Sequence, residues 1–255
     1  MFKKKFGQNF LINDTLIDQI IELENIQNKN ILEIGPGNLA LTKKIIQKKP
    51  KNFFALEIDN ALVIRHKNFE HSKHIINKDA LKIDEYKLFN KKKFSIISNL
   101  PFNISAQLLI KWLKIQSKYN CIENMILMFQ KELAERIVAD INTKKYGRIS
   151  ILSSAFFKIE KKLEIGKKNF YPVPNVDTVV LKFTALKKKK IKEKNFHKLE
   201  KITQIFFNER RKINTKKINR IFTQDQINKW KLYNYFKKRP ENLSRDTYYF
   251  FSSIL

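Results

Sequence analysis

Apolar segments bounded by turn residues alternate with amphipathic segments through the first 130 residues of this chain. Short runs rich in Ile, Leu and Phe are typical of buried strands, and the segments between them carry apolar residues at helical spacing. Strands that alternate with helices in this way predict βαβ units, and therefore an α/β fold whose mostly parallel sheet has helices on both faces. The predicted strands are Asn30–Gly35, Asn52–Glu57, His74–Asn77, Phe94–Ser98 and Met125–Phe129, and the predicted helices are Leu39–Lys48, Asn60–Phe69, Ile104–Ile115 and Lys131–Ile141.

The pattern changes after Tyr146. Ile159–Ile165 and Val176–Phe183 have the composition of strands, and a turn containing two prolines, Phe170–Pro174, separates them, so we expect an antiparallel hairpin that closes the sheet. Beyond the lysine run at 187–190 the apolar residues follow helical spacing to the end of the sequence. These patterns predict an α/β domain in residues 1–186 and a small all-helical domain in residues 187–255.

The chain is strongly basic, with 52 Lys and Arg against 24 Asp and Glu and a formal net charge of +28. Such a field raises the local concentration of phosphates, so a polyanionic partner is expected. The abundance of Lys, Asn, Ile and Phe, with only 5 Gly, is also typical of an AT-rich genome, and we assign part of the excess charge to it. Residues 187–255 carry 20 basic and 6 acidic residues, the same net charge as the first 186 residues. This asymmetry favours a nucleic-acid surface in the C-terminal quarter.

Composition also excludes several kinds of site. The single cysteine, Cys121, excludes a disulfide framework and any zinc or iron–sulfur site built from several cysteines. The four histidines lack the spacing of metal ligands, and we expect no metal. No apolar run approaches the roughly 20 residues of a membrane-spanning helix, and the basic N-terminal segment lacks the apolar stretch of a signal peptide. We therefore expect a cytoplasmic protein with no membrane partner, and a monomer.

Gly35 and Gly37 directly follow the first predicted strand, in the sequence Glu-Ile-Gly-Pro-Gly. Glycines at this place let the chain turn tightly and bring backbone N–H groups close to a ligand at the carboxyl edge of the sheet. With Ala40 the spacing also fits the dinucleotide pattern G-x-G-x-x-A, so NAD or FAD is an alternative ligand.

Two carboxylates follow the next two predicted strands. Glu57 ends the second strand, where an acidic group can bind the two hydroxyls of a ribose, which suits either NAD or S-adenosylmethionine. Asp79 follows the third strand, where a carboxylate can accept a hydrogen bond from an adenine amino group. Both side chains are therefore candidates for binding a nucleoside at one edge of the sheet.

The turn after the fourth predicted strand, Asn99–Phe102, carries the most specific chemical signal. The N6 lone pair of adenine is delocalised into the ring, which makes this nitrogen a poor nucleophile. If the side-chain oxygen of Asn99 and the carbonyl of Leu100 accept the two N6 protons, the nitrogen can become pyramidal and regain its lone pair. Pro101 would fix the turn, and Phe102 would offer a face on which an extruded base stacks. The turn therefore predicts methylation of a planar exocyclic amine.

The same residues have purely structural interpretations. A glycine-rich turn can be only a turn, and Glu57 can be a solvated carboxylate at a strand end beside Asp59. Asn103 or Ser105 can cap the helix that follows the turn. These interpretations explain each feature separately, whereas one site at the carboxyl edge of the sheet explains all of them in this order and spacing.

Segments distributed along the whole chain resemble the KsgA (RsmA) family of rRNA adenine N6,N6-dimethyltransferases. They are Gly7–Leu11, Ile34–Gly37, Glu57–Asp59, Asp79–Leu81, Asn99–Ser105, Gln130–Glu132, Tyr146–Arg148, Phe170–Asp177, Glu209–Lys212 and Arg239–Ser244. The resemblance implies a Rossmann-like class I methyltransferase domain followed by a helical C-terminal domain. It also implies N6,N6-dimethylation of two adjacent adenosines in the 3′-terminal hairpin loop of 16S rRNA, with S-adenosylmethionine as cofactor, during biogenesis of the 30S subunit.

The resemblance also implies roles for individual residues. The residues expected to bind the cofactor are Asn9, Leu11, Gly35, Gly37, Glu57, Ile58, Asp79, Ala80 and Asn99. The residues expected to be catalytic are Asn99, Leu100, Pro101, Phe102 and Phe170. In this set Phe170 packs on the face of the target base opposite Phe102. The residues expected to bind RNA are Arg210, Arg211 and Lys212.

The chain departs from the family pattern at two positions. Phe102 stands where the motif usually has Tyr, so stacking is retained and a hydroxyl hydrogen bond is lost. Leu39 stands where the family commonly has Gly, which puts the conformation of the loop after Gly37 in question.

Two alternative functions remain open at this point. The first is the sister family of Erm 23S rRNA methyltransferases, whose motif is closer to Asn-Ile-Pro-Tyr and which lack the Gly-Pro-Gly and Glu-Arg-Arg-Lys forms. The second is a ribosome-assembly or RNA-binding paralogue that keeps the fold without the chemistry, although the intact cofactor motifs argue against lost catalysis. An NAD-dependent oxidoreductase is not supported, because no catalytic His or Tyr/Lys set accompanies the glycines.

Overall fold

A computed structural model describes residues 9–255, and these divide into two compact units. The first unit contains the residues up to Ala134 together with Ile159–Ala185. The second contains Glu135–Lys158 together with Leu186–Leu255. These units differ from the predicted domains, because residues 135–158, which the sequence pattern placed in the first domain, group with the C-terminal residues.

The strands are β1 (Phe10–Leu11), β2 (Asn30–Ile34), β3 (Asn52–Glu57), β4 (Ile75–Asn77), β5 (Phe94–Asn99), β6 (Ile122–Gln130), β7 (Phe157–Ile165), β8 (Phe170–Tyr171) and β9 (Thr178–Ala185). The helices up to the division at Ala134 are α1 (Asp14–Ile21), α2 (Ala40–Gln47), α3 (Asn60–Arg65), α4 (Glu85–Leu88), α5 (Ser105–Tyr119) and α6 (Lys131–Val138), the last of which crosses it. The later helices are α7 (Arg148–Ser154), α8 (Phe196–Asn208), α9 (Thr215–Ile221), α10 (Gln224–Lys229) and α11 (Arg245–Ile254). Single 3₁₀ turns lie at Ser72–His74, Lys167–Asn169, Glu193–Asn195, Leu232–Tyr235 and Pro240–Asn242.

The first unit is built on a seven-stranded sheet in the order β4-β3-β2-β5-β6-β9-β7. β2 pairs parallel with both β3 and β5, and β4 and β6 extend the parallel pairing on either side. β9 pairs antiparallel with β6, with Leu127 opposite Leu181, and lies between β6 and β7. The predicted α/β fold, with a mostly parallel sheet that ends in an antiparallel hairpin, is confirmed. The chain reverses its direction of winding between β2 and β5, which is where open α/β sheets form ligand crevices.

A second, two-stranded sheet pairs β1 antiparallel with β8. Phe10 lies opposite Tyr171, and Leu11 lies opposite Phe170. Leu11 and Phe170 are both buried in the hydrophobic core, and the same core includes Ile17 on α1. The sequence patterns did not predict this sheet, because a strand of two residues has no periodicity to detect.

The second unit is helical, as predicted for the C-terminal domain, and its core is aromatic. Phe206 on α8 contacts Tyr248 and Phe251 on α11, with ring centroids 5.6 and 5.8 Å apart. The segment before β7 belongs to this core, because the Tyr146 hydroxyl donates to the Leu243 carbonyl at 3.0 Å and the Tyr249 hydroxyl donates to the Ile151 carbonyl at 3.0 Å. These contacts explain why residues 135–158 group with the C-terminal helices.

Residues 9–255 contain neither a helix suited to a membrane nor a cluster of metal ligands. Within this part of the chain, no helix has both the length and the apolar character needed to cross a membrane. No group of three or more His, Cys, Asp or Glu side chains in these residues could hold a metal ion.

Candidate active site

An open cleft lies at the carboxyl ends of the parallel strands. Among the residues predicted for the site, it is lined by Asn9, Gly35, Gly37, Glu57, Ile58, Asp79, Ala80, Asn99, Leu100 and Pro101. The cleft is also lined by Phe10, Ile34, Leu56, Lys78 and Ile104, which the sequence patterns did not single out. Four loops that are distant in sequence thus meet at one cleft.

The turn after β2 requires both of its glycines. Gly35 and Gly37 have φ angles of 66° and 55°, in the left-handed region that disfavours side chains. A Cβ atom on Gly37 would also lie 2.5 Å from Cε1 of Phe10, which is closer than carbon atoms can approach. The glycine at 37 therefore allows the ring of Phe10 to pack directly on the backbone of the turn.

Leu39 also has a positive φ angle, of 67°, immediately before α2. This is the position at which the family pattern commonly has Gly, and a left-handed conformation costs a residue with a Cβ roughly 1–2 kcal/mol. The side chain of Leu39 is buried in the core, so hydrophobic burial offsets part of this cost. The departure at position 39 therefore leaves the left-handed turn in place.

Glu57 is buried at the end of β3, so it is not the solvated strand-end carboxylate of the structural alternative. Its Oε1 accepts a hydrogen bond of 2.8 Å from the backbone N–H of Asp59. Burial raises the pKa of the Glu57 carboxyl, and hydrogen bonds from the backbone N–H groups of Asp59, Gly37 and Ile58 act in the opposite direction. The carboxylate is thus held by the backbone at the edge of the cleft.

Glu33, the residue next to Ile34 in β2, is a second buried carboxyl group close to this edge. Desolvation raises its pKa to about 8, against the opposing hydrogen bond that the Thr42 hydroxyl donates to Oε2 at 2.7 Å. The charge of Glu57 raises the pKa further. Glu33 directly precedes the glycine motif in the sequence, but nothing in the sequence pattern predicts that its carboxyl group is buried.

The loop after β4 is held by a lysine from α5. Lys111 Nζ donates to the carbonyls of Ala80 and Ile83, at 2.5 and 2.6 Å, and lies 2.7 Å from Oε1 of Glu85. The buried carboxyl group of Glu85 also accepts a hydrogen bond of 2.9 Å from Nε1 of Trp112. This network fixes the backbone at Ala80, and the Asp79 carboxylate accepts from the N–H of Leu81 in the same loop. No sequence pattern predicts the roles of Lys111, Glu85 and Trp112, because only the fold brings α5 to this loop.

Asn99 ends β5 with its side chain held in one orientation. Its Nδ2 donates a hydrogen bond of 2.8 Å to the carbonyl of Asn9. Its Oδ1 is buried and has no hydrogen-bond partner among residues 9–255. Because a buried acceptor without a partner costs roughly 1–3 kcal/mol, this atom calls for a donor that the described chain does not supply.

Two hydrogen bonds to backbone carbonyls close the turn that follows Asn99. The N–H of Ile104 donates to the Pro101 carbonyl at 3.2 Å, and the Ser105 hydroxyl donates to the Phe102 carbonyl at 3.1 Å. The N-cap position of helix α5 is occupied by Ile104, which makes no side-chain capping hydrogen bond, and not by Asn103 or Ser105.

Three residues predicted for the site do not line the cleft. Leu11 and Phe170 are buried, opposite each other in the β1–β8 sheet. Phe102 is half-buried in the turn and lies outside the lining. Gly7 and Gln8, which belong to the first resembling segment, lie outside the described residues. The structure therefore does not bring Phe102 and Phe170 together as two open ring faces.

The predicted RNA-binding residues lie in the loop after α8, and they differ from one another in environment. Arg210 donates through Nε to Glu241 at 2.5 Å and through Nη2 to the Thr143 carbonyl at 2.8 Å, within the second unit. Lys212 pairs with Glu209 at 2.9 Å, whereas Arg211 is exposed. Arg211 is thus accessible to a phosphate, whereas the guanidinium of Arg210 already binds Glu241 and the Thr143 carbonyl within the unit.

The sequence of this chain is similar to those of known proteins along nearly its whole length. Residues 1–247 match a family model described as ribosomal RNA adenine dimethylase. The chain is 42% identical over 249 residues to ribosomal RNA small subunit methyltransferase A from Pelagibacter ubique, which covers 97% of this chain and 94% of that protein. It is 38% identical over 262 residues to the protein of the same name from Borreliella burgdorferi, with coverage of 99% and 88%.

Two solved structures share the fold along nearly the whole chain. A dimethyladenosine transferase from Plasmodium falciparum has a TM-score of 0.79 at 24% identity, covering 94% of both chains. The 23S rRNA methyltransferase ErmE has a TM-score of 0.70 at 18% identity, covering 96% of this chain and 99% of that chain. At these identities the two structures bear on the fold alone.

The raised pKa of Glu33 predicts a pH-dependent stability. An unfolded glutamate ionises near pH 4.3, so between about pH 5 and pH 8 the folded chain holds a proton that the unfolded chain has lost. The contribution of Glu33 to the free energy of unfolding therefore falls as the pH rises, by at most about 1.4 kcal/mol per pH unit. The variant Glu33→Gln keeps the acceptor for Thr42 and does not titrate, so we expect it to match the wild type near pH 5 and to exceed it by more than 1 kcal/mol near pH 8. Urea denaturation at both pH values measures this difference, and parallel pH profiles would show that Glu33 is ionised in the folded chain.

Proposed function

Because the chain belongs to the ribosomal RNA adenine dimethylase family, we propose that it transfers methyl groups from S-adenosylmethionine to 16S rRNA. The proposed targets are the N6 atoms of two adjacent adenosines in the 3′-terminal hairpin loop, which become N6,N6-dimethylated during biogenesis of the 30S subunit. The naming of the relatives as small subunit methyltransferases supports this substrate over the 23S rRNA of the Erm alternative.

The observation that carries this proposal is the orientation of Asn99. The hydrogen bond from Nδ2 to the Asn9 carbonyl uses the donor side of the amide, and Oδ1 is left as a buried acceptor with no partner among the described residues. An adenine amino group supplies the donor that this oxygen lacks. The acceptor is held in place before the base arrives, so no reorganisation is needed when the reaction begins.

The chemistry follows from what the turn does to the N6 nitrogen. Asn99 Oδ1 and the carbonyl of Leu100 accept the two N6 protons, and these hydrogen bonds draw the nitrogen out of conjugation with the ring. Its lone pair is then available for attack on a methyl group. The product amine is cationic and loses a proton readily to water, so the site needs no general base. Pro101 lines the cleft beside these acceptors and fixes the turn.

The cleft fits S-adenosylmethionine. Glu57 would bind the ribose hydroxyls, and Asp79 and Ala80 would lie at the adenine, with Ile58 beside them. Gly35 would lie under the methionine part, with Gly37 and Asn9 completing the cleft. When bound, the cofactor supplies an electrophilic methyl group on its sulfonium. The buried carboxylate of Glu57 and the close approach of the chain at Gly37 support this assignment.

The three predicted residues outside the lining of the cleft differ in what their roles require. Phe102 can act where it lies, whereas Phe170 and Leu11 require a movement of the chain. Phe102 is half-buried beside the turn and offers a ring to an incoming base. Leu11 and Phe170 are buried in the core, so contact with the cofactor or with the base requires β1 and β8 to shift. We propose Phe102 as the primary stacking residue for this reason.

The proposed division of labour places the chemistry in residues 1–186 and RNA binding in the basic residues 187–255. Arg211 is the strongest candidate for a phosphate contact, with Lys212 beside it and Arg210 held by Glu241. We propose that the protein acts as a monomer in the cytoplasm, where 30S subunits are assembled. A methylation assay with 30S and 50S particles tests the substrate. Methyl transfer to 50S particles alone would favour the Erm alternative, and cofactor binding without any transfer would favour the non-catalytic paralogue.

Glu57→Ala should weaken binding of S-adenosylmethionine by about 1.5–3 kcal/mol, because it removes charge-assisted hydrogen bonds to the ribose. Calorimetric titration of the cofactor measures this loss. Glu57→Gln serves as the matched control, since it keeps an acceptor of the same length and should lose less affinity. Equal cofactor affinity for Glu57→Ala and the wild type would remove Glu57 from the cofactor site.

Asn99→Ala should lower kcat by roughly 10²-fold or more, because the Oδ1 hydrogen bond strengthens as N6 becomes pyramidal and is worth most in the transition state. Single-turnover methylation of 30S particles measures the rate, and filter binding measures RNA affinity, which should change little. Near-normal dimethylation by this variant would show that the turn is not the catalytic centre.

Arg211→Glu should reduce the salt dependence of 30S binding. Each phosphate contact contributes roughly 0.7–0.9 to the slope of log affinity against log salt concentration, so the loss of one contact should lower the slope by about that amount. Lys51→Glu, which changes an exposed lysine of the first unit, serves as the control with the same change in net charge. If both variants lower the slope equally, the effect belongs to net charge and not to Arg211.

A further inference from the structure

Two aromatic side chains of the second unit are exposed. Trp230 is 41% exposed and Tyr233 is 49% exposed, whereas Phe206, Tyr248 and Phe251 in the same unit are fully buried. Trp and Tyr have large rings, and covering such a ring contributes much of the binding free energy at an interface. Their exposure, beside rings of the same unit that are fully buried, indicates a surface that meets a partner.

The exposed rings lie in a basic stretch of the second unit. Residues 229–239 contain five Lys or Arg residues and no Asp or Glu. Lys229 Nζ lies 5.4 Å from the centroid of the Trp230 ring. We define the aromatic-basic face as Lys229, Trp230, Lys231, Tyr233, Lys237 and Lys238, all of which are exposed.

The aromatic-basic face is held rigidly by the residues beneath it. Leu232 is fully buried, and the ring of Tyr235 packs edge-on against Phe251 with centroids 5.3 Å apart. The backbone N–H of Asn214 lies 3.0 Å from the carbonyls of both Phe236 and Lys238. The rings and lysines are thus presented by a backbone that is fixed before binding, which reduces the entropy lost when a ligand binds.

The same contacts join the face to the loop that carries Arg211. Asn214 directly follows that loop, and the buried Lys217 donates from Nζ to the carbonyls of Glu209 and Lys212, at 3.0 and 2.7 Å. The aromatic-basic face and the Arg211 loop therefore form one connected basic region of the second unit.

We propose that the aromatic-basic face binds an unpaired stretch of RNA, with one base stacked on Trp230 and adjacent phosphates held by the lysines. The proposal rests on the proposed function, which makes RNA the substrate, and adds a subsite outside the catalytic cleft and outside Arg210–Lys212. A positively charged surface with aromatic rings on which bases stack is how proteins bind single-stranded nucleic acid. The carboxylates of an acidic protein would pair with the lysines, but they would not stack on the rings.

The two tryptophans of the chain make this face directly observable. Trp112 is fully buried in the first unit, with Nε1 bonded to Glu85, and Trp230 is exposed. The emission of the wild type minus that of Trp230→Phe therefore reports on Trp230. The probe is an oligouridylate of about a dozen nucleotides, which contains no adenine for the catalytic site and has little structure of its own. We expect it to quench the Trp230 emission, and we expect a duplex of equal length to quench it much less.

Affinity for the same probe gives an independent measurement. Loss of one base–aromatic stack should raise the Kd of Trp230→Ala by roughly tenfold or more, while Trp230→Phe should stay close to the wild type. Ile64→Ala, which truncates an exposed apolar side chain of the first unit, serves as the control and should bind normally. Unchanged Trp230 emission at saturating oligouridylate, or an equal Kd for Trp230→Ala and the wild type, would overturn the proposal and leave the face to a protein partner.

The two proposals fail in different ways. Trp230→Ala leaves the cleft intact, so at saturating 30S particles it should keep the wild-type kcat and raise KM. If the wild type transfers no methyl group to 16S rRNA, the proposed function is wrong, and the fluorescence result still decides whether the face stacks on RNA. If methyl transfer occurs and Trp230→Ala shows no change in KM, the stacking subsite is wrong.

Discussion

The parallel pairing of β2 with both β3 and β5 is the constraint on which the rest of the site depends. It sets the carboxyl ends of strands that are distant in sequence side by side, and the Ser98 hydroxyl reinforces it by donating to the Ile34 carbonyl at 2.7 Å. Gly35, Glu57 and Asn99 each follow or end one of these strands. A single feature of topology therefore assembles a turn, a carboxylate and an amide that no local segment could bring together.

Two buried carboxyl groups and an unfavourable backbone conformation lie at the same edge of the sheet. Glu33 and Glu57 are both buried with raised pKa values, and Leu39 has a left-handed backbone conformation. Hydrogen bonds from Thr42 and from the backbone N–H of Asp59 offset part of the burial of the two carboxyl groups. Buried carboxyl groups with raised pKa values beside a left-handed turn are typical of the edge of a binding site.

Sequence patterns predicted the sheet and most of the cleft because strands and glycine turns leave local signals. They missed the β1–β8 sheet, which has two residues in each strand, and with it the burial of Leu11 and Phe170. They also missed Lys111 and its partners, because α5 meets the loop after β4 only through the tertiary fold. Motif spacing identifies which residues belong to a site, but the solvent exposure of each side chain is a property of the whole packing arrangement.

The lysine content of this chain shows why composition alone cannot identify an RNA surface. Lys111 and Lys217 each donate to backbone carbonyls, and their ammonium groups fix loops without facing a phosphate. The loop that Lys217 holds is the one that carries Arg211, which is exposed. A buried basic residue with carbonyl partners thus holds the backbone of a loop that carries an exposed basic residue. Only the exposed basic residues can release counterions when they bind phosphates. The number of phosphates that the unit can bind is therefore smaller than its number of basic residues, and the binding is confined to the exposed ones.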